Sequence, residues 1–148
     1  LRMDLARAQL SAGSLDDALD SALAAVERDP HDPETHLLAA IVHTERGEFV
    51  PAMDRADIVA RLAPDHAGAQ ELFRAAFYLE VARLARCAHG PGPWTRDQVA
   101  SALERFKREG LGGADVWFKY HETYGAKPEV VARLAALEGR CPELSAKP

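Results

Sequence analysis

Six histidines and two cysteines are the side chains of this 148-residue chain best suited to metal binding or proton transfer. His36 and His43 stand seven residues apart in a stretch that reads as one helix. At about 1.5 Å of rise per residue their Cα atoms are about 10 Å apart, too far to share one ion. They are read as half-buried packing histidines. His31 and His66 fall beside turns, and His89 precedes a Gly-Pro connector where exposure is expected. His121-Glu122 lacks the second histidine of a zinc-protease helix. Cys87 and Cys141 are far apart, have no metal-ligand spacing and are too few for a disulfide framework. Free thiols in a reducing cytoplasm are the expectation, with a bridge between the two as the less favoured alternative. There is no CxxC pair, no nucleophile elbow and no phosphate loop, since Gly112-Gly113 is not followed by the Lys and Ser/Thr such a loop needs. The expected protein is therefore not an enzyme and has no catalytic residue, metal or cofactor.

Composition narrows the partners. Net charge is −5, apolar content 47% and charged content 28%, with acidic and basic residues mixed along the length. Phosphate binding needs a concentrated excess of Lys and Arg, so nucleic acid is not expected as a partner. The one basic cluster, Arg105-Phe106-Lys107-Arg108, is flanked by Glu104 and Glu109 and reads as a solvated helix face. No apolar run approaches 18 residues, so no membrane insertion is expected. No signal peptide is visible, and the opening at Leu1 already reads as helix, which makes further sequence upstream an expectation.

These residues must be positioned by helices, and the first helices repeat. A shift of 34 residues aligns Gly13 with Gly47, Ala6 with Ala40, Leu15 with Phe49, Ala18 with Ala52 and Pro30 with Pro64. Each unit reads as a helix, a glycine turn and a second helix stopping near proline. Ser14 with Asp17 has the form of a capping box, Asp32-Pro33 supplies an N-cap and first-turn proline, and Asp65 is placed to cap the next helix. Residues 1–64 resemble two tetratricopeptide repeats, whose signature combines small residues at fixed sites, a turn glycine and a closing proline. The large sites depart from that family: Arg2 and Gln9, then His36 and His43, replace the first-helix aromatics, and Ala22 and Ala56 replace one in the second.

A third unit would place glycine at 81, alanine at 86 and proline at 98, where the chain has Val81, Arg86 and Gln98. Residues 66–89 read instead as one long helix enclosed on several sides. Gly90-Pro91-Gly92-Pro93 breaks it. Three helices are expected beyond: one opened by a Thr95/Gln98 capping box with Val99, Ala102, Leu103 and Phe106 inward, a short aromatic helix over 114–124 stopped by Gly125, and a last one opened by Pro128 with Val130, Val131, Leu134 and Leu137 inward. The expected fold is all-α: a tetratricopeptide-like α-α superhelix over 1–89, its long third-unit helix included, then a small C-terminal helical lobe over 94–141 packed on it.

The resemblance implies a partner surface. In that family the first helices of successive units line a concave groove, which here would be formed by Met3, Arg7, Leu10, Leu37, Ile41, Thr44 and Glu45, with Glu71, Ala75 and Tyr78 from the third. This strip suits an extended segment or amphipathic helix with apolar anchors. It lacks the carboxylate clamp of some relatives, because Met3, Leu38, Gly68 and Leu72 occupy most of the places where Lys, Arg and Asn would stand. A second candidate interface is Trp117 and Phe118. Val116, Trp117, Tyr120 and Tyr124 follow helical spacing and read as core, which leaves Phe118 to face a partner or subunit. The expected function is a protein-interaction module (adaptor, scaffold or chaperone-like) that binds a peptide or helix of a partner protein. A non-catalytic regulatory or substrate-docking domain of a larger enzyme, or a homodimerisation unit, are the alternatives.

Overall fold

The computed structural model describes residues 2–90, 92–105, 114–125, 127, 128, 130, 132 and 135. Every element among them is an α-helix: α1 (Arg2–Ser11), α2 (Leu15–Arg28), α3 (Pro33–Glu45), α4 (Phe49–Leu62), α5 (Ala67–His89), α6 (Arg96–Arg105) and α7 (Ala114–Tyr124). None of them is long and apolar enough to cross a membrane. The chain divides into two compact units, Leu1–Phe77 and Tyr78–Pro148. The connector at 90–93 is thus not the boundary, which falls inside α5.

In the first unit α1 packs on α2, α2 on α3 and α3 on α4. The turns of the two hairpins make the same two closing hydrogen bonds across the 34-residue shift. Gly13 and Gly47 both have φ +80. The Gly13 N–H donates to the Leu10 carbonyl at 3.1 Å and the Ser14 N–H to that of Gln9 at 2.9 Å. Gly47 and Glu48 do the same to Thr44 and His43, at 3.1 and 2.8 Å. This closure satisfies the last carbonyls of the first helix in each hairpin and needs a left-handed residue. The second helices also end alike, at Asp29 (φ −143, ψ 72) and Ala63 (φ −142, ψ 82).

Methyl groups set the helix spacing. Ala6, Ala18, Ala22, Ala39, Ala40 and Ala52 are all fully buried. Ala6, Ala18 and Ala22 meet Leu38, Ala39 and Val42 in one cluster, with Met3, Leu10, Leu19, Leu23 and Val26 around it. Gln9 adds a polar tie, accepting from the Ser21 hydroxyl at 2.7 Å.

Two expected caps are made differently. Ser14 is the α2 N-cap but makes no side-chain capping bond, because its backbone (φ −84, ψ 72) is not extended. Asp65 does not cap α5; His66 does, its Nδ1 accepting from the Ala69 N–H at 3.2 Å. Asp32 caps α3 as its sequence implies, accepting from the Glu34 N–H at 2.9 Å ahead of Pro33.

In the second unit, α6 touches α7. Thr95 and Gln98 exchange hydrogen bonds at 3.2 and 2.9 Å, the reciprocal capping box. Arg96 and Asp115 form an ion pair between the starts of the two helices. Val99 and Ala102 are buried and Leu103 is half-buried. Pro128, Val130, Ala132 and Ala135 are helical, with Val130 buried. Phe106, Val131, Leu134 and Leu137 lie outside the described residues, as do Lys107, Arg108 and the glycine pair at 112 and 113. Within α5 every residue from Ala76 to Ala82 is buried, more than a full turn, so the helix is enclosed all round there.

The glycine turns give a test that separates strain from space. A Cβ at Gly13 would meet nothing within 4 Å. Gly13→Ala is therefore expected to lose about 1 kcal/mol of stability through its left-handed backbone alone. Gly13→Asn should lose less, since asparagine tolerates that conformation. Urea unfolding of the three proteins measures both, and equal losses for Ala and Asn would contradict the account.

Candidate functional site

The face that α3 turns outward follows from what it buries. Thr35, His36, Leu38, Ala39, Ala40, Val42 and Thr44 are buried. Of the six that remain, Glu34, Leu37, Ile41 and Glu45 stand at helical positions i, i+3, i+7 and i+11, which fall on one stripe, while Pro33 and His43 are half-buried off it. Leu37 and Ile41 are half-buried, while the acids at either end are exposed. The Glu34 carboxylate lies 3.5 Å from His66 Nε2. Helix α1 touches α3 and brings Met3 and Leu10, half-buried against the hairpin core. Arg7 is exposed there, 3.7 Å from the Asp4 carboxylate. Glu71 is exposed and Ala75 half-buried on α5.

Side chains on the inner face hold α3 in register. The Thr35 hydroxyl lies 2.8 Å from the Asp32 carbonyl and 3.1 Å from that of Asp29. His36 Nε2 meets the Pro30 carbonyl at 2.7 Å, so this nitrogen carries the proton. Its Nδ1 is then free to accept from Arg55 at 3.2 Å. His43 turns to a different partner, Glu48, at 2.9 Å. The two histidines are thus structural and do not converge. Nowhere among the described residues do three His, Cys, Asp or Glu side chains cluster to hold a metal.

Two residues expected on the partner face are elsewhere. Thr44 is buried, its hydroxyl donating to the Ala40 carbonyl at 2.9 Å. Tyr78 belongs to the second unit and is buried in its aromatic cluster. Its ring stacks on Trp117 at 5.0 Å, and its hydroxyl meets His121 Nδ1 at 2.7 Å. Burial pushes the Tyr78 phenol up to about 12. Trp117 is fully buried and donates to the Tyr78 carbonyl at 3.2 Å. Phe118 does not point away from this group: it meets Trp117 edge-on at 5.0 Å and His121 at 6.4 Å. It is half-buried, so only part of its ring faces solvent. Trp117 and Phe118 are therefore cluster members before they are an interface.

Cys87 is disulfide-bonded, which corrects the expectation of free thiols. The only other cysteine of the chain, Cys141, lies outside the described residues.

A polar knot fastens the α3–α4 turn. Arg46 donates to Glu48 Oε1 at 2.9 Å and also pairs with Asp16. Burial pushes the Glu48 carboxyl up, but hydrogen bonds from Arg46 and then His43 outweigh it and hold it below the usual carboxylate range. A carboxyl depressed in the folded state adds stability above its unfolded value, near 4.3 by the usual reference of about that size, and loses it as pH falls through the folded value. Wild type should therefore exceed Glu48→Gln in stability near about pH 7, with the gap closing below about pH 4. Urea midpoints across that range test this; a gap independent of pH would overturn it. The effect is expected to be small, because the Glu48 side chain is 35% exposed and solvent screens it.

Among the described glycines of the second unit, Gly125 is the tightest. A Cβ there would lie 2.5 Å from the His121 ring and 2.7 Å from the His121 carbonyl. Gly125→Ala must displace the ring that Tyr78 and Trp117 hold, and is expected to destabilise by about 1–3 kcal/mol. Gly68→Ala, whose Cβ meets only the His66 ring at 3.0 Å, should lose less. Thermal melting of both variants checks the order.

No protein-family model matches the chain, and no curated protein matches its sequence.

Proposed function

We propose that the first unit is a protein-interaction module of tetratricopeptide type, acting as an adaptor, scaffold or chaperone-like surface for a peptide or helix of a partner protein. One observation supports this reading. The outward stripe of α3 has an apolar centre, with half-buried Leu37 and Ile41 between exposed Glu34 and Glu45; apart from these four, only Pro33 and His43 of the helix are less than buried. Apolar side chains left half in solvent on a helix otherwise committed to packing are what a helix-in-groove or extended-peptide partner would cover. Met3 and Leu10 on α1 extend the same apolar character. Tyr78 and Thr44 are not part of this surface, so the face is narrower than the repeat register implies.

Ile41→Glu tests the reading. The side chain already contacts solvent, so helicity and melting temperature should stay near wild type, while proteins retained from source extract by the immobilised chain should be lost. Unchanged retention would sink the proposal, and unfolding of the variant would mean that Ile41 is core.

A further inference from the structure

Charge is divided unevenly along the chain. Residues 1–77 hold seven Arg and no Lys against fourteen Asp and Glu, a net of −7. Residues 78–148 hold eleven basic and nine acidic residues, a net of +2. Three of the first unit's seven arginines have local partners: Arg46 with Glu48 and Asp16, Arg55 with His36, and Arg7 beside Asp4. A compact unit of this charge carries a negative potential that draws in cations before contact.

The apolar stripe of α3 lies within that field and ends in an acid on each side. Glu34 is exposed beside His66, and Glu45 is exposed with contacts of its own inside the chain. We infer that this stripe takes a short basic segment, two apolar residues bracketed by Lys or Arg. The inference rests on the interaction-module reading and adds the partner's charge and spacing. Eleven helical positions separate the two acids, about 16 Å of rise. An extended chain covers that length in about five residues. Leu37 and Ile41 are one turn apart, about 6 Å along the axis, which matches two side chains at alternate positions of an extended strand. The complementary hexapeptide has the pattern basic–apolar–x–apolar–x–basic. The apolar pair and the second basic residue share one side of the strand and answer Leu37, Ile41 and Glu45, while the first basic residue stands at the free end, where its long flexible side chain turns back to Glu34. Arg7 is the cation nearest in register on α1; its pairing with Asp4 lessens its opposition to a basic ligand.

The test uses three fluorescein-labelled peptides with the core Leu-Ser-Leu-Ser, ended by Lys, by Gln or by Glu, and reads fluorescence anisotropy with the whole chain. At low salt the Lys-ended peptide should bind about tenfold tighter than the Gln-ended one, with the Glu-ended one weaker still. The ratio should shrink towards one as salt approaches about 1 M, where screening acts within about 3 Å. Glu34→Lys with Glu45→Lys should reverse the order, and Glu34→Gln with Glu45→Gln should abolish it; the second pair decides if the first fails to fold. Equal binding by all three peptides, lost in Ile41→Glu, overturns the charge inference and leaves the interaction module standing. Failure of all three to bind at any salt overturns both.

Discussion

The first unit depends on how closely helices approach at their alanines. Packed helices stand about 8–10 Å apart according to the side chains between them, and a methyl group allows the near end of that range. Ala6, Ala18, Ala22, Ala39, Ala40 and Ala52 fill the crossings without exposing any surface. Between the paired helices the chain reverses within a few residues, and Gly13 and Gly47 do so in the left-handed conformation. Buried alanines and left-handed glycines thus recur together in both hairpins.

Legibility in the sequence followed the range of the interactions involved. The 34-residue period, the glycine turns, the Asp32-Pro33 cap and the Thr95/Gln98 box were readable because each is decided by residues within one or two turns of one another. Ser14 misled because a capping residue type is a necessary condition only, and its backbone is not the extended form that aims the hydroxyl at a free N–H. Asp65 misled because His66, one position on, holds the N-cap site itself. Repeat position set Leu37, Ile41 and Glu45 on the partner side of α3, where the first two are half-buried and Glu45 is exposed, but it did not single out Glu34.

Tyr78 shows where that reasoning ends. Counting by repeat places it beside Ala75 on a partner face, yet its ring is stacked on Trp117, 39 residues further along. No local pattern encodes such a contact. The uninterrupted burial from Ala76 to Ala82 agrees with the expected enclosure of this helix, but no local pattern marks the unit boundary inside it. Charge was misread for a different cause. Averaged over the length the two signs look mixed, and only the division at Phe77 separates a unit of −7 from one of +2.

The aromatic cluster has a consequence for watching the molecule. Both tryptophans and all three tyrosines lie at or beyond position 78, and the first unit has only phenylalanine. Absorbance at 280 nm and intrinsic emission therefore originate wholly in the second unit, with Trp117 shielded from solvent against Tyr78 and His121. Far-ultraviolet circular dichroism, by contrast, sums over the helices of both. The wild-type chain thus carries an optical label on one half and none on the other. A mismatch between the two signals during unfolding would report on the silent repeats without any dye attached.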